Sequence, residues 1–135
     1  MRHVILTGHA KISEGIASAA ELILGCKMMW FNAYIEGEEI FTERIKKAIK
    51  LFGPDDEVVI LTDVLGGSVN NEMMSLLESP NIHLVCGMNL PLVMDIVLSD
   101  QEKDIREVIA EALQGGKDGM QYCNGLSATE ELDDF

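Results

Sequence analysis

Two segments of the chain combine residue types that can take up a phosphoryl group. His9 follows the apolar run 4–7, and Asp63 follows the apolar run 58–61. A neutral imidazole is a good nucleophile toward phosphorus near neutral pH. A carboxylate can hold one ring nitrogen as N–H, which leaves the other nitrogen free to attack. His9 is therefore the candidate nucleophile, and Asp63 is the candidate residue that orients it.

A Gly-Gly-Ser loop follows Asp63 closely. Gly66 and Gly67 let the backbone approach a bound group, and Ser68 adds a hydroxyl at the start of a predicted helix. Phosphoryl transfer depends mainly on positioning and electrostatics, so a loop of this kind can bind the phosphoryl oxygens. Each of these residues alone is common in turns and caps. Only their proximity in the fold would favour a site.

The elements that must bring His9, Asp63 and the Gly-Gly-Ser loop together are strands that alternate with helices. Apolar patterning predicts strands at 4–7, 28–35, 57–62 and 82–86, and helices at about 11–24, 40–52, 73–77, from 89 onward, and 102–113. Residues 120–123, after Gly115-Gly116, are predicted as a short C-terminal strand. The pattern indicates an α/β fold with a doubly wound, mostly parallel sheet of four strands and helices on both faces. The carboxyl ends of such strands meet at one edge, which predicts that His9, Asp63, the Gly-Gly-Ser loop and a third loop at 87–89 gather there.

Composition narrows the class of partner. The 135 residues fit one domain, and 47% of them are apolar. A formal net charge of -13 argues against nucleic acid and favours a partner with a basic docking face. No apolar run reaches the length of a membrane span, and the three cysteines lack metal-site spacing, so we expect a cytoplasmic protein. The sequence shows no metal, dinucleotide or ATP motif, and we expect no metal and no cofactor.

Three motifs in order resemble one known family. They are Val4-Ile5-Leu6-Thr7-Gly8-His9, Leu61-Thr62-Asp63-Val64-Leu65-Gly66-Gly67-Ser68 and Cys86-Gly87-Met88-Asn89-Leu90-Pro91-Leu92. Together they resemble the mannose-type (mannose/fructose/sorbose family) IIA component of the bacterial phosphoenolpyruvate-dependent sugar phosphotransferase system. The likeness extends to about Gly119. It implies one phosphotransfer domain over 1–135, with a flexible acidic tail at about 124–135.

The resemblance also implies roles. His9 matches the phosphorylated histidine and Asp63 the carboxylate that orients it, while Gly66, Gly67 and Ser68 match the phosphate-binding turn. The family are phosphotransferases with a phosphohistidine intermediate: HPr is the phosphoryl donor, a IIB component the acceptor, and the membrane components IIC and IID act downstream. Members form homodimers that often exchange the C-terminal strand, here Met120–Cys123.

The chain departs from the family pattern at a few positions, and other functions stay open. Ala10 replaces the usual glycine, Val69-Asn70 replaces Pro-Phe, and Lys11 is an added cation. One alternative is a regulatory IIA-like module of a sugar-operon regulator, in which phosphorylation is a signal. Another is the phosphotransfer subunit of dihydroxyacetone kinase. A flavodoxin-like binding domain is disfavoured, because the chain offers no long aromatic-bearing loop for a flavin.

Overall fold

Four parallel strands form the centre of the molecule, in the order β2-β1-β3-β4. The computed structural model describes residues 1–36 and 40–126. The strands are β1 (Arg2–His9), β2 (Met29–Ala33), β3 (Glu57–Leu61) and β4 (Ile82–Val85). The chain places β2 on one side of β1 and then crosses to place β3 and β4 on the other. This is the doubly wound arrangement, and it confirms the predicted fold class.

Helices cover both faces of the sheet. They are α1 (Ile12–Leu24), α2 (Phe41–Lys50), α3 (Ser68–Met74), α4 (Leu90–Val97) and α5 (Ile105–Asp118), with 3₁₀ turns at Ser75–Glu78 and Cys123–Gly125. Helices α1, α4 and α5 pack on one face, and α2 and α3 on the other.

Residues of the central strands alternate between two apolar cores. In β3, Val59 and Leu61 belong to the core under α1, α4 and α5, whereas Val58 and Ile60 belong to the core under α2 and α3. All four side chains are buried. A strand covered on both faces has no polar side, which is why these runs lack polar alternation in the sequence.

The last helix differs from its prediction. The sequence predicts that it ends near Leu113, before two glycines, but α5 continues to Asp118. A side chain at Gly115 would collide with the carboxylate of Asp95 on α4, and one at Gly116 would crowd Asn89 and Leu92. The two glycines therefore permit a close approach of α5 to α4 and do not end the helix.

The end of α5 is tied to the start of α4. Asn89 caps α4 by accepting the Leu92 N–H at 3.0 Å, and its amide donates to the Gly116 carbonyl at 2.9 Å. Gly119, just after α5, lies against Pro91 in the first turn of α4. The chain thus leaves α5 at the carboxyl end of β4.

The segment after α5 adds no strand to this chain's sheet. Met120–Tyr122 have no regular structure and are exposed, and Cys123–Gly125 form the 3₁₀ turn. The prediction of a strand at Met120–Cys123 is therefore wrong for the single chain, in which these residues pair with no strand. Its exchange within a homodimer stays a prediction, and most of the expected acidic tail, residues 127–135, lies outside the described residues.

Among residues 1–36 and 40–126, no helix is long and apolar enough to cross a membrane.

Asp56 links β1 to the turn before β3 through hydrogen bonds. It lies at the amino ends of these strands, at the edge of the sheet opposite His9. His3 Nε2 donates to its carboxylate at 2.9 Å, the Gly53 N–H donates at 2.9 Å, and the terminal ammonium of Met1 lies 3.2 Å away. The bond from His3, followed by those from Gly53 and the ammonium, lowers the pKa of Asp56 from 3.8 to about 2.

We expect Asp56→Asn to reduce the acid sensitivity of folding. Because the folded-state pKa of Asp56 lies below its ordinary value, its contribution to stability is complete above about pH 4 and is lost as the pH falls toward about 2. Urea unfolding across this window should therefore show a shallower loss of free energy in Asp56→Asn than in the wild type. Asp55→Asn, a change of the same charge at an exposed neighbour, is the control. Equal pH slopes for Asp56→Asn and the wild type would contradict the assignment.

Candidate functional site

His9 is the last residue of β1, and its imidazole contacts the side chain of Asp63. The Nδ1 atom of His9 lies 2.7 Å from Oδ2 of Asp63, and the backbone N–H of His9 donates to the same oxygen at 2.9 Å. Two bonds to one oxygen fix both the main chain and the ring of His9. The predicted proximity of these two residues is thus present in the structure.

Asp63 is the buried member of the pair. Its side chain is 5% exposed, whereas that of His9 is 45% exposed. Burial acts to raise the pKa of Asp63, but the hydrogen bonds from the His9 backbone and imidazole outweigh it, and the pKa lies below its ordinary value. Asp63 is consequently ionised at neutral pH and can only accept hydrogen bonds.

The charge on Asp63 determines the tautomer of a neutral imidazole. A carboxylate accepts, so Nδ1 must carry the proton, and Nε2 then has a free lone pair. The hydroxyl of Ser68 lies 3.3 Å from Nε2. It is placed to donate to that lone pair, and Nε2 is therefore the ring nitrogen that Asp63 leaves unprotonated.

The Gly-Gly-Ser loop lies beside the imidazole, as predicted from the meeting of the strands' carboxyl ends at one edge of the sheet. Gly66 has φ +74°, a conformation that favours glycine. A Cβ on Gly67 would stand 3.2 Å from the Val64 carbonyl oxygen and 3.5 Å from Cε1 of His9. A side chain at this position would crowd the Val64 carbonyl and contact the imidazole, so glycine keeps the space beside the ring open.

A buried hydrogen bond closes this loop at its base. The hydroxyl of Thr62 donates to Oδ1 of Asn70 at 2.7 Å, and both residues are buried. Thr62 directly precedes Asp63, and Asn70 lies in the first turn of α3. Asn70, which departs from the family pattern, thus ties the two ends of the loop that holds Asp63 and Ser68.

The third predicted loop, at 87–89, supports the site without contacting the imidazole in the hydrogen bonds that the structure describes. Met88 is buried, and its N–H donates to the Thr62 carbonyl at 2.9 Å. Asn89 caps α4 and bonds α5. These residues support the edge of the sheet on which the site lies.

Two residues with left-handed backbones follow the paired strand ends His9 and Ala33. They are Ala10, with φ +51°, and Tyr34, with φ +63°. The N–H of Ala10 donates to the Ala33 carbonyl at 2.9 Å. Tyr34 also places its ring 5.5 Å from the imidazole of His9, centroid to centroid. Sequence reasoning missed Tyr34, because it reads as one more residue of the strand predicted at 28–35.

A family model and a curated relative match most of the chain. The family model is that of the PTS system fructose IIA component (EIIA-man), and it matches residues 3–113. The relative is the PTS system fructose-specific EIIA component of Bacillus subtilis (strain 168). It is 23% identical over 128 residues, which cover 92% of this chain and 88% of the relative.

Solved structures resemble the chain over the same extent. One is a crystal structure from Klebsiella pneumoniae that is assigned to a phosphoenolpyruvate-dependent sugar phosphotransferase system (PTS) permease. It is 37% identical to this chain, with a TM-score of 0.83, and the match covers 92% of this chain and 92% of that one. The phosphotransferase system component EIIA from Streptococcus agalactiae is 26% identical with a TM-score of 0.77, over 93% of this chain and 100% of that one. These matches agree with the resemblance that the three motifs indicate.

Proposed function

Because the chain belongs to the mannose-type family of PTS IIA components (EIIA-man), we propose that it is a cytoplasmic phosphocarrier that accepts a phosphoryl group on His9. Phospho-HPr is the donor and a IIB component is the acceptor. The membrane components IIC and IID are reached only through IIB. The observation that supports this most directly is the series of contacts from Asp63 to the imidazole of His9 and on to Ser68.

The first step is attack by Nε2 of His9 on the phosphorus of the donor. The bond from Nε2 to phosphorus forms while the bond from phosphorus to the donor breaks, and the electron pair of that bond returns to the donor. Asp63 keeps the proton on Nδ1 throughout, and its negative charge stabilises the cationic phosphoimidazole. Transfer to IIB is the same displacement in reverse, with phospho-His9 as the donor.

The Gly-Gly-Ser loop binds the transferred group. The hydroxyl of Ser68 faces Nε2 before transfer, and it turns to a phosphoryl oxygen once the phosphorus occupies that position. Gly67 leaves space beside the ring, and the left-handed turn at Gly66 shapes the loop that binds the oxygens. Most of the catalytic effect then comes from positioning and from electrostatic stabilisation of the oxygens.

The surroundings of His9 favour a protein as phosphoryl donor. The imidazole is nearly half exposed, and the adjacent side chains of Val64 and Leu65 are exposed and apolar. An open reactive group bordered by apolar side chains suits docking of a second protein better than capture of a small molecule. The high negative charge of the chain favours a basic partner.

Labelling of the purified protein tests the proposal. With phosphoenolpyruvate, enzyme I and HPr, we expect one acid-labile phosphate per chain, because phosphohistidine hydrolyses in acid. Omission of HPr is the control and should prevent labelling. A chain that takes up no phosphate under these conditions would overturn the proposal.

Acceptor choice separates a carrier from a regulator. The isolated phosphoprotein should lose its phosphate rapidly to a IIB protein, and the phosphate should appear on IIB. Labelling without transfer to any IIB protein tested would favour the regulatory module. We also propose that the protein is a homodimer. Light scattering should then give a molar mass of twice that of one chain.

A further inference from the structure

Tyr34 occupies an unfavourable backbone conformation next to the candidate phosphorylation site. Its φ of +63° lies in the left-handed region, which bulky residues seldom adopt. The residue is 58% exposed to solvent. Glycine or asparagine would fit this backbone with less strain. A bulky residue held in such a conformation points to a use for its side chain.

The ring of Tyr34 lies close to two other rings, those of His9 and Phe41. Its centroid lies 5.5 Å from that of the imidazole, at 51° between the planes. The ring of Phe41 lies at the same distance from Tyr34, at 80°, in an edge-to-face arrangement. Phe41 is buried at the start of α2 and gives the tyrosine ring a fixed support.

Within residues 1–36 and 40–126, the other contacts of the imidazole come from a single segment. Asp63 holds Nδ1, Ser68 faces Nε2, and Gly67 adjoins Cε1, and all three belong to the segment that runs from the end of β3 to Ser68, the first residue of α3. Tyr34 follows β2 and therefore reaches the ring from a second element. A ring that is nearly half exposed needs a contact opposite that loop if its χ angles are to stay in one arrangement.

We propose that Tyr34 is a positioning residue that presses the imidazole of His9 against Asp63 and Ser68. The proposal rests on the proposed function, because the atom it positions is the Nε2 that accepts the phosphoryl group. The aromatic ring performs this task and the phenolic hydroxyl is not needed. Loss of the ring lets the imidazole leave Asp63 part of the time, so that Nε2 is aimed correctly in fewer encounters.

The first test uses the unphosphorylated protein and does not depend on phosphoryl transfer. NMR measures how fast the Nδ1 proton of His9 exchanges with water, and the bond to Asp63 slows this exchange. In Tyr34→Gly we expect exchange to be faster by about tenfold, while Tyr34→Phe should match the wild type. Tyr34→Asn, which also suits a left-handed backbone, should behave like Tyr34→Gly. Unchanged exchange in both ring-free variants would overturn the proposal.

The second test measures transfer from phospho-HPr to His9 in single turnovers. Tyr34→Gly should slow this step by about tenfold and leave the urea unfolding midpoint close to that of the wild type, and Tyr34→Phe should restore the rate. A Tyr34→Phe variant as slow as Tyr34→Gly would overturn the role of the ring. If wild-type His9 takes up no phosphate, the proposed function fails, but the proton-exchange result still decides the contact of Tyr34 with His9.

Discussion

A His9→Ala variant is expected to take up no acid-labile phosphate from phospho-HPr. The substitution removes the proposed nucleophile, Nε2 of His9, while Asp63 and Ser68 remain in place. The neighbouring hydroxyl of Ser68 lacks a base once the imidazole is gone, and a serine alone is a poor nucleophile at neutral pH. The loss of labelling should therefore be complete within the sensitivity of radioactive phosphate counting.

His83→Gln is the matched control for this variant. His83 is the second residue of β4, near the amino end of that strand and away from the carboxyl ends that form the site. It should label like the wild type. His9→Ala should remain folded, because the backbone N–H of residue 9 still reaches Asp63, and circular dichroism checks this. Full labelling of folded His9→Ala would mean that another residue takes the phosphoryl group.

An Asp63→Asn variant should fold but transfer the phosphoryl group on the order of a thousandfold more slowly. An asparagine amide can donate a hydrogen bond to Nδ1, which would favour the tautomer with the proton on Nε2 and block the attacking atom. It also carries no charge to stabilise the cationic phosphoimidazole. Single-turnover transfer from phospho-HPr measures this loss directly.

The stability of Asp63→Asn separates catalysis from folding. The asparagine oxygen can still accept the His9 N–H, so we expect a cost of about 1–2 kcal/mol in the free energy of unfolding. Urea denaturation measures this cost, and Asp55→Asn at an exposed position is the control for both assays. Transfer at the wild-type rate by Asp63→Asn would remove the orienting role of this carboxylate.

Much of the site follows from strand positions in the sequence. Once the apolar runs are taken as parallel strands, the residues at the carboxyl ends of β1 and β3 are expected at the same edge of the sheet, and this brings Asp63 and Ser68 to His9. The order of the strands adds the reason: β1 and β3 are neighbours, although β2 intervenes in the sequence. The strand order reverses between β1 and β3, and ligands bind at this switch point in such sheets.

Features set by packing between elements could not be predicted in this way. The sequence near Gly115 predicts a helix end, because a contact with α4 cannot be seen in local patterning. Tyr34 fits the strand pattern as well as its neighbours do, and only the backbone reveals that the strand has already ended at Ala33. Asn70 shows the same limit, since its buried bond to Thr62 depends on how α3 folds back on β3.

The path of α5 affects how an acceptor domain would work if it were joined to this chain. Because Gly119 lies against Pro91, the chain leaves α5 at the carboxyl end of β4, on the edge of the sheet that carries His9. A flexible linker of about 10–20 residues spans about 15–27 Å on average, so a domain tethered there would stay near the phosphorylated histidine. Its effective concentration would be on the order of millimolar. Phosphoryl transfer to a tethered IIB domain would then proceed at a rate independent of the protein's concentration, whereas transfer to a separate IIB chain would depend on it.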